Sequence, residues 1–493
     1  MSAVHGSARL PPPVARNPLL HDSGLLNSTT FISDHRNETT AGTLTRAGLT
    51  IQVSFVFADP PRLSYFCVYC LNRYEIPFAK APKVVSSVED TALIQVLLTT
   101  EDSPQYFLYR ARGPNGRPSL DLLPDIHRYS QTEILCVPLG FVSHDNHKQF
   151  VMAALSYGTW DGEYNLHTIG SNPDSTWSKK LLQVEIPNGL TANSALIEPT
   201  KVIALGGGLL GWVDLWKGMV ICDVLNPAAK AYFVPMPKLL PNNNELYGNQ
   251  YSARPLRDIT VSRDYIRCVE FEQVLKLRPT TVPAVTDPWD MDELQDSELA
   301  IVPPQEEEEV YDVVGWRLIT WYRSLTWNGW RKGSMVHSDD LGIISLPQLG
   351  GGSCPLNEPF KNLKTASPTL SDDDVVYLVC MLKEDDQAVW IATIDTRSKS
   401  VGEVVPFSAE GTVIYDPTFI PCVLSKYLDA KSDGSQGGKR NASHVPHSRN
   451  ISKWKKQRQL LSQAELEEQQ PLPHLLQHSS AAVVMPVNSP QCV

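Results

Sequence analysis

Gly206-Gly207-Gly208-Leu209-Leu210-Gly211 is a literal G-x-G-x-x-G directly after the apolar run KVIAL. Such a loop holds a dinucleotide pyrophosphate when its third glycine opens a helix and an acidic residue follows about 20 positions on. Here WVDLWKGMVICD follows, which is strand text with a turn at Gly218, and Asp214 and Asp223 come too early. The expectation is a glycine-rich strand entry and no bound cofactor. Cys67 and Cys70 form a lone C-x-x-C. No second pair completes a zinc tetrahedron, and thiols three apart on a strand face opposite sides. His144-Asp145-Asn146-His147 brings two imidazoles close without a carboxylate or thiol partner and reads as a polar loop. Asp372-Asp373-Asp374 lacks calcium-loop spacing and reads as the start of a strand. No G-x-S-x-G, H-E-x-x-H or G-x-x-x-x-G-K-S/T run occurs, so no catalytic, metal or cofactor residue is assigned.

Two other groupings bear on binding. Trp316, Trp321, Trp327 and Trp330, with Tyr322, crowd a short window that also carries Arg and Lys. Exposed, such a strip offers stacking area to a peptide or a base; buried, alternating Trp residues pack between sheets. Near the C-terminus, Lys439-Arg440 precedes Lys453-Trp454-Lys455-Lys456 by twelve residues. Two cationic clusters so spaced on an extended segment fit a bipartite nuclear localisation signal, read by acidic pockets of an import receptor. A solvated basic tail has the same composition.

The elements that must position these residues are bounded by composition. With 493 residues, 42% hydrophobic and 20% charged, most of the chain can bury a core. The net charge of -11 resides in one place: residues 287–312 hold eleven carboxylates and no Lys or Arg. The remainder is near neutral, so nucleic-acid binding through the folded body is not expected. Nine scattered cysteines read as reduced thiols, and no apolar run reaches the 18 residues of a membrane span. No secretory core opens the chain, which makes the sequons at Asn27, Asn37, Asn441 and Asn450 chance matches and points to the cytoplasm, the nucleus or both. Ser, Thr and Arg before residue 48 leave room for an organellar transit peptide, against which Asp22, Asp34 and Glu38 weigh.

From about Leu49 to Phe419 short β-rich runs alternate with turns, and helical periodicity is scarce. TIQVSFVF (50–57) and LSYFCVYCL (63–71) read as adjacent strands broken by Ala58-Asp59-Pro60-Pro61. Units of three or four strands recur at 84–124, 150–187, 201–237, 257–347 and 368–407, roughly the spacing of propeller blades. The expected fold is mainly β and propeller-like, with five or six blades, since such units bury both faces only by radial stacking. A pair of β-sandwiches is the alternative. Residues 1–48 are expected to be a disordered segment, 49–428 the folded body with an acidic loop at 276–311, and 429–493 a disordered basic tail with one short helix candidate at 453–469.

Several stretches together carry a family resemblance: PPRLSYFCVYC (60–70), Trp212 to Leu215, Cys222-Asp223, Phe233 to Pro237, Arg257-Asp258-Ile259 and TLSDDDVVYLV (369–379). The chain resembles the plant domain-of-unknown-function family DUF1618, a group expanded in grasses, from about Leu49 to Leu428. The resemblance implies a β-repeat fold in the style of kelch and F-box-associated domains, and brings with it no established activity. The Pro- and Glu-rich insertion at 276–311 departs from the pattern.

The expected function is a non-catalytic protein-interaction scaffold or adaptor that binds an unidentified protein through loops, the acidic insertion or the Trp-rich edge. The alternatives are an enzyme with a site in the propeller channel and a nuclear factor that touches nucleic acid through its tail. The first 48 residues are too short and too poor in Leu-rich helical pattern for an F-box-like domain.

Overall fold

A computed structural model describes residues 24–428 apart from 72–77, 114, 126–137, 145–148, 161, 172–174, 229, 247–251, 263–264, 279–310, 342–359, 361–362, 364, 371–373, 382–388 and 408–418. The described residues are mainly β, arranged in several sheets.

The first sheet is built from β1 (Gly24–Asn27), β2 (Phe31–Ile32), β3 (Ala41–Leu44), β4 (Thr50–Val56) and β5 (Leu63–Cys70). β6 (Phe78–Val88), β7 (Thr91–Leu98), β8 (Gln105–Arg110) and β9 (Ser119–Leu122) form the second, an antiparallel meander. The third comprises β10 (Gly140–His144), β11 (Gln149–Tyr157), β12 (Glu163–Gly170) and β13 (Ser178–Glu185). β14 (Lys201–Gly206), β15 (Leu209–Asp214), β16 (Gly218–Asp223) and β17 (Ala231–Pro235) form the fourth. A short parallel register, Val184↔Ala231 and Glu185↔Tyr232, joins these two meanders into one eight-stranded sheet. After helix α1 (Pro241–Leu246) come the fifth meander, β18 (Arg257–Ser262), β19 (Tyr265–Leu277), β20 (Tyr311–Arg323) and β21 (Arg331–His337), and the sixth, β22 (Thr365–Leu370), β23 (Val375–Met381), β24 (Val389–Asp395) and β25 (Ser400–Phe407). β26 (Phe419–Cys422) returns to the first sheet, which runs β26-β1-β5-β4-β3, and α2 (Ser425–Leu428) follows it.

Near-continuous apolar strands suit this arrangement because side chains alternate between two covered faces. On β11, Ala153 and Leu155 join the cluster between the third and fourth sheets, while Met152 and Ala154 join the one between the second and third. On β16, Val220 and Cys222 face the third sheet, Met219 and Ile221 the fifth. On β23, Val376 and Leu378 pack with Phe271 and Trp316 of the fifth sheet, whereas Tyr377 and Val379 pack with Leu25 and Phe419 of the first. Leu26, Phe55 and Phe66 of the first sheet then share a cluster with Val84, Ile94 and Phe107 of the second. Each sheet thus shares apolar packing with the sheets before and after it, the sixth with the first.

The units expected at 84–124, 150–187, 201–237 and 368–407 correspond to the second, third, fourth and sixth sheets. The expectation of disorder over 1–48 is corrected from Gly24 onward. β1 pairs antiparallel with β26 and parallel with β5, and β3 pairs with β4. GLLN is too short to signal a strand alone; it is held by partners almost four hundred residues away. The tail at 429–493, its helix candidate and most of the acidic insertion lie outside the described residues.

Candidate functional site

The most heavily charged buried place in the described body is the end of the fifth sheet where β18 begins. Arg257 is the register partner of Glu270 on β19, and both are essentially fully buried. The guanidinium donates to Glu270 Oε2 from Nη2 (2.6 Å) and Nε (3.0 Å), to the Pro237 carbonyl (2.9 Å) and to the Leu215 carbonyl (3.2 Å). Glu270 Oε1 accepts from the Leu240 backbone N–H (2.9 Å) and from Asn243 Nδ2 (2.8 Å). Two residues on, Glu272 accepts from the Asn242 N–H (2.8 Å) and pairs with Arg317.

A buried ion pair persists only when its remaining donors and acceptors are satisfied, and here backbone and amide groups take that role. The arrangement clamps the connection between the fourth and fifth sheets, including α1, against β19. With both carboxylate oxygens of Glu270 engaged, the joint is built for holding rather than proton transfer. Nearby, burial pushes the Cys268 thiol up to about 12.

The opposite end of the same sheet is aromatic. Tyr265 opens β19, Tyr322 is the last residue but one of β20, and Trp327 lies in the connection that follows. The Trp327 ring meets Tyr265 at 5.5 Å and Tyr322 at 5.7 Å, and the Arg331 guanidinium sits 3.8 Å from its centroid. Tyr265 is 39% exposed and Arg331 is exposed. The other tryptophans of that window pack inward. Trp316 is fully buried against Phe271 and Phe360, and its Nε1 donates to the Phe360 carbonyl (2.7 Å). Trp321 and Trp330 pack on the cluster between the fourth and fifth sheets, with Trp330 Nε1 donating to the Pro235 carbonyl (2.7 Å). Of the four tryptophans weighed between an exposed contact strip and packing between sheets, the structure therefore brings only Trp327 into a rim cluster.

Gly206, Gly207 and Gly208 all have positive φ and turn β14 into β15, with no helix after them. A Cβ on Gly208 would stand 2.5 Å from Asp223 Oδ1, which explains the glycine without a phosphate. Cys67 and Cys70 are buried on β5, and burial pushes the Cys67 thiol up to about 11. Among the described residues, no group of three or more His, Cys, Asp or Glu could hold a metal ion. Asp374, in a positive-φ turn, pairs with Arg267 and Arg397 and so ties the fifth sheet to the sixth. Asp372, Asp373, the loop 145–148 and the tail residues Lys439, Arg440, Lys453, Lys455 and Lys456 lie outside the described residues.

Residues 212–377, from Trp212 on β15 to Tyr377 on β23, match the family model described as "Protein of unknown function (DUF1618)". The similarity to that family is shown for this stretch, 166 of the 493 residues. Within that segment the stretches that suggested the resemblance converge on the charged joint: Arg257 reaches the carbonyl of Leu215 and that of Pro237. No curated protein matches the chain.

Among solved structures, the chain is similar to one described as a structural and mechanistic analysis of two prolyl endopeptidases. Identity is 10% and the TM-score 0.26, over 78% of this chain and 49% of that one, so the chain spans about half the length of that relative. It is also similar to the Saccharomyces cerevisiae core factor, with 9% identity over 92% of this chain and 70% of that one and a TM-score of 0.26. A polysaccharide lyase, ulvan lyase, gives 8% identity over 78% and 84% and the same TM-score.

Proposed function

We propose that this chain is a non-catalytic protein-interaction module, a β-propeller-like ring of six sheets that meets its partner through the aromatic rim of the fifth sheet. The observation that carries this reading is the rim cluster of Tyr265, Tyr322, Trp327 and Arg331, in which Tyr265 and Arg331 are exposed and the other two rings half-buried. Tyr, Trp and Arg dominate binding hot spots because they give large contact area at small entropy cost and combine apolar faces with polar edges. The ring is supported by the six apolar clusters, each shared by successive sheets, and by β26 pairing with β1. In a pair of sandwiches each sheet would bury one face against one other sheet, not two.

Proximity labelling by the full chain in cells, followed by affinity measurement on the recovered partner, tests the rim. Trp327→Ala and Arg331→Glu are expected to lose a set of neighbours that Trp160→Ala keeps. Trp160 is 74% exposed and lies in the connection between β11 and β12, so it controls for the loss of a surface indole. The same neighbours with all three variants would overturn the reading. The basic tail is proposed as the address that brings the module into the nucleus through an import receptor. Unchanged nuclear signal on converting Lys455 and Lys456 to Ala would retire that part alone.

A further inference from the structure

Three Asn-Gly dipeptides occur in the described body, at Asn115, Asn188 and Asn328, and all three asparagines are exposed. An asparagine followed by glycine can close on itself when the glycine nitrogen attacks the side-chain amide carbon. The missing Cβ leaves room for the five-membered ring that forms. What separates the three is how the backbone holds that nitrogen.

At two of them the glycine is fixed. The Gly116 N–H donates to the Gly113 carbonyl (2.9 Å), in a loop that the Gly113 N–H closes on the Arg117 carbonyl (2.8 Å). Asn188 and Gly189 form the middle of a turn closed by the Leu190 N–H on the Pro187 carbonyl (3.2 Å). Gly116 and Gly189 have φ of 69° and 88°, so each is glycine for a conformational reason.

Asn328-Gly329 differs. It spans the bend between β20 and β21, anchored on both sides: the Trp327 N–H donates to the Ser324 carbonyl (3.1 Å) and Trp330 Nε1 to the Pro235 carbonyl (2.7 Å). Among the described residues, neither the Asn328 side chain nor the Gly329 N–H makes a hydrogen bond. Gly329 has no positive φ, and a Cβ built on it would meet nothing within 4 Å. Neither conformation nor crowding accounts for this glycine.

We propose that Asn328-Gly329 is a site of spontaneous covalent modification, at which the asparagine amide becomes an aspartyl or isoaspartyl carboxylate. The Gly329 nitrogen gives its proton to hydroxide and bonds to Asn328 Cγ. The bond from Cγ to the side-chain nitrogen breaks, and that nitrogen takes a proton from water and leaves as ammonia. Water then opens the cyclic imide at either carbonyl, with no change of oxidation state. The product sets a negative charge in the loop that joins Trp327 to Arg331, and the isoaspartyl form also lengthens the backbone there. A carboxylate in that loop competes with the Trp327 face for the Arg331 guanidinium. The conversion thereby ages the rim as a binding surface, a consequence that rests on the rim reading above; the conversion itself does not.

The full chain held at mildly alkaline pH and sampled over time tests the site, with the three peptides read by mass spectrometry and isoaspartyl carboxyls detected by enzymatic methylation. Asn328 should convert about fivefold or more faster than Asn115, where a backbone hydrogen bond must first break. It should also outpace Asn188. In urea the three rates should converge, because folded geometry is what separates them. Gly329→Val should suppress the conversion without lowering the melting temperature, since open space receives the side chain. Conversion no faster than at Asn115 and Asn188, or the same ranking in urea, would overturn the site. Asn328→Asp tests the consequence and should lose the labelled neighbours that Trp327→Ala loses. If it keeps them while Trp327→Ala does not, the rim does not age by this route. If both variants keep them, the rim reading falls and the modification site stands on the mass spectra.

Discussion

The two ends of the fifth sheet use the same few residue types to opposite ends. At one, Arg257 is sealed against Glu270, two backbone carbonyls and the amide-bearing connection that includes α1. At the other, Arg331 lies over the Trp327 ring in solvent, with Tyr265 and Tyr322 beside it. A guanidinium that has lost its water must be met by a carboxylate and by acceptors for its other N–H groups, and that demand fixes the backbone around it. One that keeps its water constrains little and stays available for a partner. The sheet is locked where it joins its neighbour and open where its hairpins turn.

The largest expected effect comes from breaking the locked end. Glu270→Ala leaves Arg257 buried without its counter-charge and should cost about 3–5 kcal/mol in urea unfolding. Replacing the pair together, Arg257→Met with Glu270→Leu, should recover most of that loss, because the penalty belongs to the orphaned charge rather than to the missing attraction. Similar stability of the single and double variants would mean that the joint is wetter than its geometry implies.

Dryness has a second, smaller signature in the thiols. Cys67, Cys70, Cys222, Cys268, Cys380 and Cys422 are all buried and none of them is in a disulfide. Burial raises Cys222, Cys268 and Cys380 to about 12 from an ordinary value near 9. The folded state thus holds its thiol protons more tightly than the unfolded chain does. The associated stability is fully present below about pH 9 and is lost as pH rises toward about 12. At pH 8 a thiol reagent should reach these six only on unfolding, and the unfolding free energy should decline above pH 9.

These two ends also show what a linear text can and cannot reveal. β4, β5 and the strands of the third, fourth and sixth sheets were legible because aromatic and β-branched runs between turn residues need only local information. Trp316 followed from the tendency of alternating tryptophans to pack between sheets. Glu270 and Glu272 escaped notice, since acids at alternate positions in VEFE read as a solvated strand face. Their burial depends on Asn242, Asn243 and Arg257, which reach them only once the connection folds back. The signal that could have found them is Arg257 opening one strand of a hairpin directly opposite an acid in the other. β1 was missed for a related reason: its pairing strand, β26, stands at the far end of the described body.

The open end should respond in the reverse sense to the locked one. Trp327→Ala removes three ring contacts from a half-buried position, and a stability loss of about 1 kcal/mol is expected. If the rim is a hot spot, the same change weakens the partner's binding by about 2 kcal/mol or more. A large loss of stability with intact binding would place Trp327 with Trp316 as a packing residue.

The smallest effect isolates Arg331. Its guanidinium is exposed, so the stacking on Trp327 is expected to contribute only about 0.5–1 kcal/mol to folding. Arg331→Ala should therefore lower stability within that range, and Arg331→Lys should restore part of it, because an ammonium keeps the charge and loses the planar face. In the Trp327→Ala background, Arg331→Ala should cost nothing further, since the ring it covers is gone; a double-mutant cycle reads this as a coupling equal to the whole single-variant effect. An undiminished cost in that background would show that Arg331 acts through some contact other than the indole. The contrast between a guanidinium fixed by burial and one left free by solvent would then hold only at the Glu270 end.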